Sequence, residues 1–408
     1  MTATGTDRLL RETSARALPV DAPRPRWAVT KFLIPEVVFG VGALGEVGDA
    51  ARRTGGSRAL VVTDDGLMAA GWVEEALPLL WAAGLAVRVW HGVTPNPKDH
   101  EVEAGFEAYL ESACDVVVAI GGGSCIDAAK GIAILAGNGG RIIDYEGVDR
   151  VTRAIHPMVM VPSTGGTGAD VSQFCVITDT ARRVKFTIAG RVLAPDISVT
   201  DPTLLATMPP DLSANTALDA LSHAIEAYVS RAANFLSDVH ALAAIRDIVA
   251  HLPASIDDPT DLRAREGIAM GSLQAGLAFT NALLGATHAI SHQIGGALDL
   301  PHGLLNAILL PHVMRFNAAA RPERFADIAR AMGVDTDRLH VREAAEAAIE
   351  SVCLLAGKLG VPDGLARIGV DRSDLDLFAE NALEDVFITT NPRVVTRDDV
   401  KQICLAAL

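Results

Sequence analysis

Two segments with helical periodicity each carry a pair of polar residues four positions apart in otherwise apolar surroundings. The first pair is an aspartate and a histidine, and the second is two histidines. Residues four apart share one face of an α-helix, so each pair can point its side chains at one ligand. Pro301 interrupts the second segment, and the histidine after it therefore approaches from a separate piece of chain. The residues concerned, in "LDALSHAIEAY" and "THAISHQIGGALDLPHG", are Asp219 and His223, then His288, His292 and His302.

The donor atoms in this set are those that a divalent cation of intermediate hardness accepts. One aspartate with three imidazoles suits Fe²⁺ or Zn²⁺. The alternative is that the histidines are hydrogen-bonded core residues without a ligand. Two spaced pairs, followed by the Pro-His-Gly of residues 301–303, favour a metal site over that alternative.

A second candidate site follows an apolar strand in "VVVAIGGGSCIDAAK". Glycines 121–123 let the backbone approach a ligand, and the free N–H groups of the helix start would face an anion. Ser124 and Asp127 have the spacing of a capping box. A plain strand-to-helix turn capped by Asp127 is the alternative, but three consecutive glycines exceed what a turn needs, so we predict phosphate binding. The motif is neither the GxGxxG fingerprint nor a Walker A loop.

Two further segments fit a dinucleotide. Asp64 ends the strand "RALVVTDD", where a carboxylate can bond a ribose 2′-hydroxyl and repel a 2′-phosphate, which would select NAD over NADP. A solvated loop acid is the alternative there. "PSTGGTGAD" offers Ser163, Thr164 and Thr167 among glycines after another strand. Hydroxyls on a close backbone suit a cofactor, and a tight polar loop is the alternative.

The elements that must position these residues change character near residue 200. Apolar strands over 58–65, 85–93, 114–120 and 157–162 alternate with helices over 71–84 and 101–113 and with a loop that runs into a helix over 121–137. This alternation predicts a parallel sheet covered on both faces. From 212–230 onward the periodicity is helical. We therefore expect an N-terminal arm over 1–27, an α/β dinucleotide-binding domain over 28–205, and an all-helical metal-binding and substrate domain over 206–408.

Composition narrows the class of protein. The chain has 408 residues and a net charge of −15, which argues against nucleic-acid and anionic-membrane partners. No apolar run reaches the roughly 18–20 residues that span a bilayer. The five cysteines form no CxxC pair, so neither a disulfide framework nor a thiolate zinc site is indicated. The N-terminus lacks the pattern of a signal peptide, and we expect a cytoplasmic protein.

Taken together, "GGGSCIDAAK", "PSTGGTGADVS", "ALDALSHAIEAY" and "THAISHQIGGALDLPHG" resemble the iron-dependent (group III) alcohol dehydrogenase family. The resemblance runs from residue 32 to residue 400. It implies the architecture shared with dehydroquinate synthases, an NAD(H) cofactor in the cleft between two domains, a metal on the helical side, and a homo-oligomer.

The resemblance also implies roles for individual residues. It leaves His292 without a metal bond, near the substrate, as a candidate proton relay. It places Phe279 in the substrate pocket. The implied metal ligands are Asp219, His223, His288 and His302. The expected nucleotide contacts are Asp64, Gly121, Gly122, Gly123, Ser124, Asp127, Ser163, Thr164, Thr167 and Lys185.

The chain departs from the family pattern at a few positions. Family members often have proline where this chain has Cys125, Ser-Glu in place of Ala169-Asp170, and Pro-Leu in place of Gln293-Ile294. None of these changes removes a ligand. A thiol at position 125, beside the expected pyrophosphate, is predicted to be sensitive to oxidation.

These observations predict reversible hydride transfer between a small primary alcohol, or its aldehyde, and NAD(H). Fe²⁺ is favoured over Zn²⁺, although the ligand set accepts both. One alternative is a reductase of a functionalised aldehyde of the phosphonate or hydroxy-acid type. Another is a dehydroquinate synthase-like lyase, which would need a pocket rich in Lys and Arg. A non-catalytic assembly protein is the third, and the full ligand set argues against it.

Overall fold

The computed structural model describes residues 31–408, so the expected arm over 1–27 lies outside the described residues. The strands of the described part belong to two sheets. Their bounds are β1 (Glu36–Phe39), β2 (Arg58–Val62), β3 (Ala86–Trp90), β4 (Val116–Gly121), β5 (Gly147–Val148), β6 (Met158–Pro162), β7 (Phe174–Asp179), β8 (Val184–Ala189) and β9 (Ile197–Thr200).

The main sheet has six parallel strands in the order β1-β9-β6-β4-β2-β3. Helices cover both of its faces, so the central strands have few polar side chains, and every residue of β4 is buried. The helices of this half are α1 (Val47–Arg53), α2 (Asp65–Ala70), α3 (Trp72–Ala82), α4 (Asp99–Glu111) and α5 (Gly123–Asn138).

Alternation along the strands divides the apolar side chains between two cores. Leu60 and Val117 face the core that contains Ile132 of α5, whereas Val61 and Val118 face the core that contains Leu80 of α3. Because β2, β4 and β6 are parallel neighbours, their carboxyl ends lie side by side at one edge of the sheet. The three segments predicted to contact a nucleotide each follow one of these strands.

A second sheet of three strands, in the order β5-β8-β7, was not expected from the sequence. Its strands β7 and β8 form an antiparallel pair, with Thr178 opposite Lys185. Phe186 and Ile188 of β8 belong to the core that contains Ile132, and they pack this sheet against the α/β half.

The rest of the described chain contains α-helices and short 3₁₀ turns, without strands. The α-helices are α6 (Pro210–Val229), α7 (Phe235–Asp257), α8 (Leu262–Ala282), α9 (Ala286–Leu298), α10 (His302–Ala318), α11 (Pro322–Ala331), α12 (Val341–Lys358), α13 (Leu375–Ala382) and α14 (Arg397–Ala406). The predicted fold class, a parallel α/β half followed by a helical half, is confirmed. Residues from Phe32 to Leu408 form one compact unit, so the boundary at 205/206 stays a prediction.

One described helix, α7, is long and apolar enough to cross a membrane by length and composition alone. Its apolar stripe includes Ala241, Ala244, Ile245 and Ile248, which are fully buried in the helical core. The apolar residues of α7 thus contribute to the interior of this fold.

Candidate metal and cofactor site

Three helices bring the predicted metal ligands together. Asp219 and His223 project from one face of α6, His288 lies on α9, and His302 is the first residue of α10. Helix α9 ends before Asp299, which has a positive φ of 51°, and α10 begins directly after Pro301. The break between the two helices turns the chain so that His302 approaches from a different direction, as Pro301 predicted.

The donor atoms of the predicted ligands lie close to Asp219. Asp219 Oδ1 lies 3.7 Å from His288 Nε2, 3.8 Å from His302 Nε2 and 4.0 Å from His223 Nε2. Bonds of about 2.1 Å to one ion would space such atoms by about 3.4 Å, so shifts of a few tenths of an ångström suffice. Asp219, His288 and His302 form a mutual set within 4.8 Å, and His223 is not a member of that set.

Asn306, one turn after His302, provides a test of whether a cation fits. Its Nδ2 lies 2.6 Å from Asp219 Oδ1, 3.0 Å from His288 Nε2 and 3.1 Å from His302 Nε2. An amide group has two hydrogens and therefore cannot satisfy three acceptors. The Nδ1 of His223 and of His302 are buried without a hydrogen-bond partner. A convergence of lone pairs with too few donors is the chemistry that a divalent cation satisfies.

The protonation of the site also suits a cation. Burial lowers the pKa of His223 to about 4, against the opposing charge of Asp219, and it lowers the pKa of His302 well below its usual value. Both rings are therefore neutral and can bind a metal. Burial by itself would raise the pKa of Asp219, but the surrounding histidines hold it below its usual value, so the carboxylate is ionised.

Glu226, which the sequence analysis did not identify, orients His288. Its Oε2 accepts a hydrogen bond from His288 Nδ1 at 2.6 Å and another from the backbone N–H of Gly285, and Oε1 accepts from that of Thr287. The bond keeps a proton on Nδ1 and leaves Nε2 facing Asp219. Burial would lower the pKa of His288, but its bonds to Asp219 and Glu226 raise it to about 9, so a metal would have to displace a proton there.

His292 lies beside this group with a carboxylate partner of its own. Its Nδ1 is 2.8 Å from Asp385 Oδ2, and its ring stacks on His302 with centroids 5.3 Å apart. Burial would raise the pKa of Asp385, but His292 holds it below its usual value. The hydrogen bond assigns the ring proton to Nδ1 and leaves Nε2 free to accept a proton.

A cavity of about 130 Å³ borders the imidazoles. Three phenylalanines surround its apolar part. Phe279 stacks on His223 with centroids 4.5 Å apart, and Phe174 contacts both Phe279 and Phe387 at 5.9 and 5.2 Å. Phe279 was expected in the substrate pocket, whereas Phe174 and Phe387 were not. Among the described residues that line this cavity, Lys185 is the single lysine or arginine.

The three glycines of the expected phosphate loop are required by packing within the protein. A Cβ on Gly121 would lie 2.5 Å from Cys125 Sγ, and one on Gly123 would lie 2.6 Å from Thr167 Cγ2. A Cβ on Gly122 would meet Thr164 Cγ2 at 3.1 Å. The loop of residues 162–168 thus lies directly over the start of α5, so the glycines have a structural reason beside the expected phosphate.

The predicted capping box at this helix is wrong. Helix α5 starts at Gly123 with Gly122 as its N-cap, so Ser124 lies inside the first turn and no side chain caps it. Asp127 instead faces the cavity from within the helix. Burial raises its pKa to about 6, against the charge of Lys130. The loop of residues 162–168 packs against this helix start, where a Cβ on Gly122 would meet Thr164 Cγ2 at 3.1 Å, so the N-cap position favours glycine over a residue with a side chain.

Three other predicted nucleotide contacts, Ser163, Thr167 and Lys185, differ in whether the protein itself provides a hydrogen-bond partner. The Ser163 hydroxyl is buried without a partner, and Thr167 accepts a hydrogen bond from the backbone N–H of Ala169. Lys185 on β8 lines the cavity and donates to Asn96 Oδ1 at 2.7 Å. Burial lowers the pKa of Lys185 to about 8, although Asp219 opposes this. Thr167 and Lys185 therefore line the same cavity as the imidazoles.

Cys125 differs from the expectation of an oxidation-sensitive thiol. It is fully buried, and its thiol donates to Asp64 Oδ2 at 3.2 Å. Burial and the charge of Asp64 raise the pKa of the thiol well above its usual value. Oxidation proceeds through an accessible thiolate, and neither condition holds at this position.

Four residues of the site were not named from the sequence: Glu226, Asn306, Asp385 and Phe387. Two of them could have been found from helical spacing, and the other two could not. Glu226 follows Asp219 by seven residues and Asn306 follows His302 by four, so helical spacing places each beside a predicted ligand. Asp385 lies 93 positions after His292, and Phe387 lies beside it in a 3₁₀ turn. No local pattern relates residues that distant.

Comparison with known proteins identifies the family of this sequence. Residues 35–202 match the profile "Iron-containing alcohol dehydrogenase", and residues 213–408 match "Fe-containing alcohol dehydrogenase family, C-terminal". The 1,3-propanediol dehydrogenase of Citrobacter freundii is 44% identical over 375 residues, 91% of this chain and 97% of that protein. The NAD-dependent methanol dehydrogenase of Bacillus methanolicus is 42% identical over 93% of this chain and all of its own. A crystal structure of 1,3-propanediol oxidoreductase superposes with a TM-score of 0.91 at 41% identity, over 93% of this chain and 100% of that one.

Proposed function

This chain belongs to the iron-containing alcohol dehydrogenase family, and on that premise we propose that one carboxylate and three imidazoles bind its metal ion: Asp219, His223, His288 and His302. The observation that carries the assignment is the convergence of Asp219, His288 and His302 within 4.8 Å, on a single amide of Asn306. Fe²⁺ is the proposed ion, and Zn²⁺ accepts the same donors.

The proposed reaction interconverts a short primary alcohol and its aldehyde with NAD(H). Relatives with about 40% identity act on 1,3-propanediol and methanol, according to their names. The cavity supports a small, uncharged substrate because three phenylalanine rings confine it and Lys185, its one described lysine or arginine, is already bonded to Asn96. A lyase that binds a multiply charged acid would need more basic residues than this lining offers.

A bound divalent cation supplies Lewis acidity, which lowers the pKa of an alcohol hydroxyl, and a bound nicotinamide accepts the hydride. The protein's own part is to orient the alcohol and exclude water. Phe174, Phe279 and Phe387 form an apolar wall that excludes water. Glu226 accepts a hydrogen bond from His288 Nδ1 and thereby fixes the orientation of that ring. Nucleotide contacts are proposed for Asp64, Ser124, Asp127, Ser163, Thr164, Thr167 and Lys185, with the backbone of Gly121, Gly122 and Gly123.

His292 is proposed as the group that takes the hydroxyl proton. Its Nδ1 lies 2.8 Å from Asp385 Oδ2, so the Nδ1 proton is held by that carboxylate and Nε2 is the nitrogen left to take a proton. Asp385 therefore acts through His292 as a positioning residue. The pair lies within ring contact of His302 and His288, which brings the base to the edge of the metal group.

Replacing His292 with asparagine is expected to lower kcat by about a hundredfold or more and to leave metal content unchanged. Asp385→Asn is expected to lower kcat less, by about tenfold, because the ring remains but its tautomer is no longer specified. Steady-state kinetics from pH 6 to 10, with metal analysis of each variant, measure both effects. Retention of the wild-type pH profile in His292→Asn would exclude the relay.

The proposed reaction is tested by purifying the protein without oxygen, removing its metal and restoring Fe²⁺ or Zn²⁺. Restored protein is expected to reduce NAD with short primary alcohols and to oxidise NADH with their aldehydes, whereas the metal-free protein is inactive. Absorbance at 340 nm follows both directions. A panel that adds hydroxy-acid and phosphonate aldehydes identifies a functionalised substrate if one is preferred. No activity with any compound of the panel would contradict the proposal.

We further propose a cytoplasmic homo-oligomer, because the family resemblance implies subunit association and the acidic chain carries no feature of a nucleic-acid binder. Light scattering of the purified protein and fractionation of its host cells measure the two properties.

A further inference from the structure

Both oxygens of Asp64 are hydrogen-bonded within the protein. Oδ1 accepts from the backbone N–H of Leu67 at 2.9 Å, and Oδ2 accepts from the thiol of Cys125 at 3.2 Å. The first bond is the local N-cap of α2, whereas the second joins the end of β2 to the first turn of α5. A carboxylate bonded at both oxygens is held in one orientation, and each oxygen keeps a lone pair for a ligand.

We propose that Cys125 is a positioning residue for the selection of NAD over NADP, because it holds the Asp64 carboxylate where a 2′-phosphate would meet its charge. This inference rests on the proposed function, which assigns Asp64 to the ribose. A carboxylate that can rotate away tolerates a phosphate at modest cost, whereas one that is held in place repels it. The thiol bond therefore adds to the discrimination that the charge alone provides.

The surroundings of Cys125 explain why a thiol can serve as the donor. The side chain is fully buried, so the thiol stays protonated and can donate rather than accept. It lies between Asp64 and Gly121, where an added Cβ would come within 2.5 Å of its sulfur. The gap accepts a small side chain with one hydrogen-bond donor.

The test compares nucleotide selectivity in three variants with that of the wild-type, metal-loaded enzyme. Cys125→Ala removes the donor without adding bulk, Cys125→Ser keeps a donor, and Asp64→Ala removes the charge itself. For each protein, kcat and KM are measured with NAD and with NADP at a fixed alcohol concentration, and thermal unfolding checks that the fold is intact.

We expect Asp64→Ala to lower the ratio of kcat/KM for NAD over NADP by about a hundredfold, and Cys125→Ala to lower it by about three- to tenfold. The change should lie in KM rather than kcat, and Cys125→Ser should restore most of the ratio. An unchanged ratio in Cys125→Ala, with a fall in Asp64→Ala, would overturn the role of Cys125 alone. An equal fall in the alanine and serine variants would also overturn it, because packing rather than the donor would then be responsible. An unchanged ratio in Asp64→Ala would remove the assignment of Asp64 itself.

Discussion

Replacing His302 with alanine is expected to remove bound metal and to lower kcat by about a thousandfold or more. The fold should tolerate the change, because His302 is the first residue of α10, a quarter of its side chain is exposed, and its Nδ1 has no partner. Three donors would remain, but the mutual set of Asp219, His288 and His302 would be broken. His302→Ala should therefore lose metal and activity while its free energy of unfolding changes little.

The measurements are metal content per chain, kcat with a short alcohol, NADH binding by fluorescence and the unfolding midpoint. His312→Ala is the matched control, since it removes an imidazole from the same helix at a position that faces neither the metal group nor the cavity. The control should keep metal and activity. Wild-type metal content in His302→Ala would disprove the proposed ligand set, and lost NADH binding would point to a disrupted fold instead.

Replacing Glu226 with alanine is expected to destabilise the metal-free protein by about 3–5 kcal/mol, the usual cost of leaving the partners of a buried charge unpaired. Glu226 is buried and accepts three hydrogen bonds, from Gly285, Thr287 and His288. Two of these donors are backbone N–H groups at the start of α9, so the loss affects the helix as well as the ring.

A second effect should appear in metal affinity. Without Glu226 the ring of His288 is free to rotate and to change tautomer, and affinity is expected to fall by about 10- to 100-fold. Urea unfolding in the presence of a chelator measures the first effect, and competitive metal titration measures the second. Glu346→Ala is the control, because Glu346 pairs with Arg315 at an exposed site and its loss should cost under about 1 kcal/mol. Equal unfolding midpoints for the Glu226 and Glu346 variants would contradict this account.

Sequence periodicity predicted elements at the buried centre of the α/β half. Strand β4, in which every residue is buried, lies within two residues of the predicted span 114–120, and helix α5 occupies the helical part of the predicted span 121–137 and extends one residue beyond it. The four-residue strands β1 and β9 and the three-stranded sheet were missed. Strands of two to six residues carry little periodic signal, and their pairing depends on partners far along the chain, as for β1 with β9.

The same distinction applies within the site. The spacing of Asp219 with His223, and of His288 with His292, is a local property, because residues three or four positions apart on a helix share a face. The capping box at Ser124 was predicted from spacing as well, and it is wrong. The helix begins earlier, where the loop of residues 162–168 packs on Gly122 and Gly123. A contact from elsewhere in the chain outweighed the local preference.

What the sequence alone determined, then, is the set of residue types and their helical registers: a carboxylate and imidazoles on shared faces, and glycines after a buried strand. Only the tertiary structure decided which partners complete them, since Glu226 reaches His288 across 62 positions, Asp385 reaches His292 across 93, and Cys125 reaches Asp64 across 61. The physical reason is that a helix constrains neighbours within about one turn, whereas hydrogen bonds between elements depend on how those elements pack.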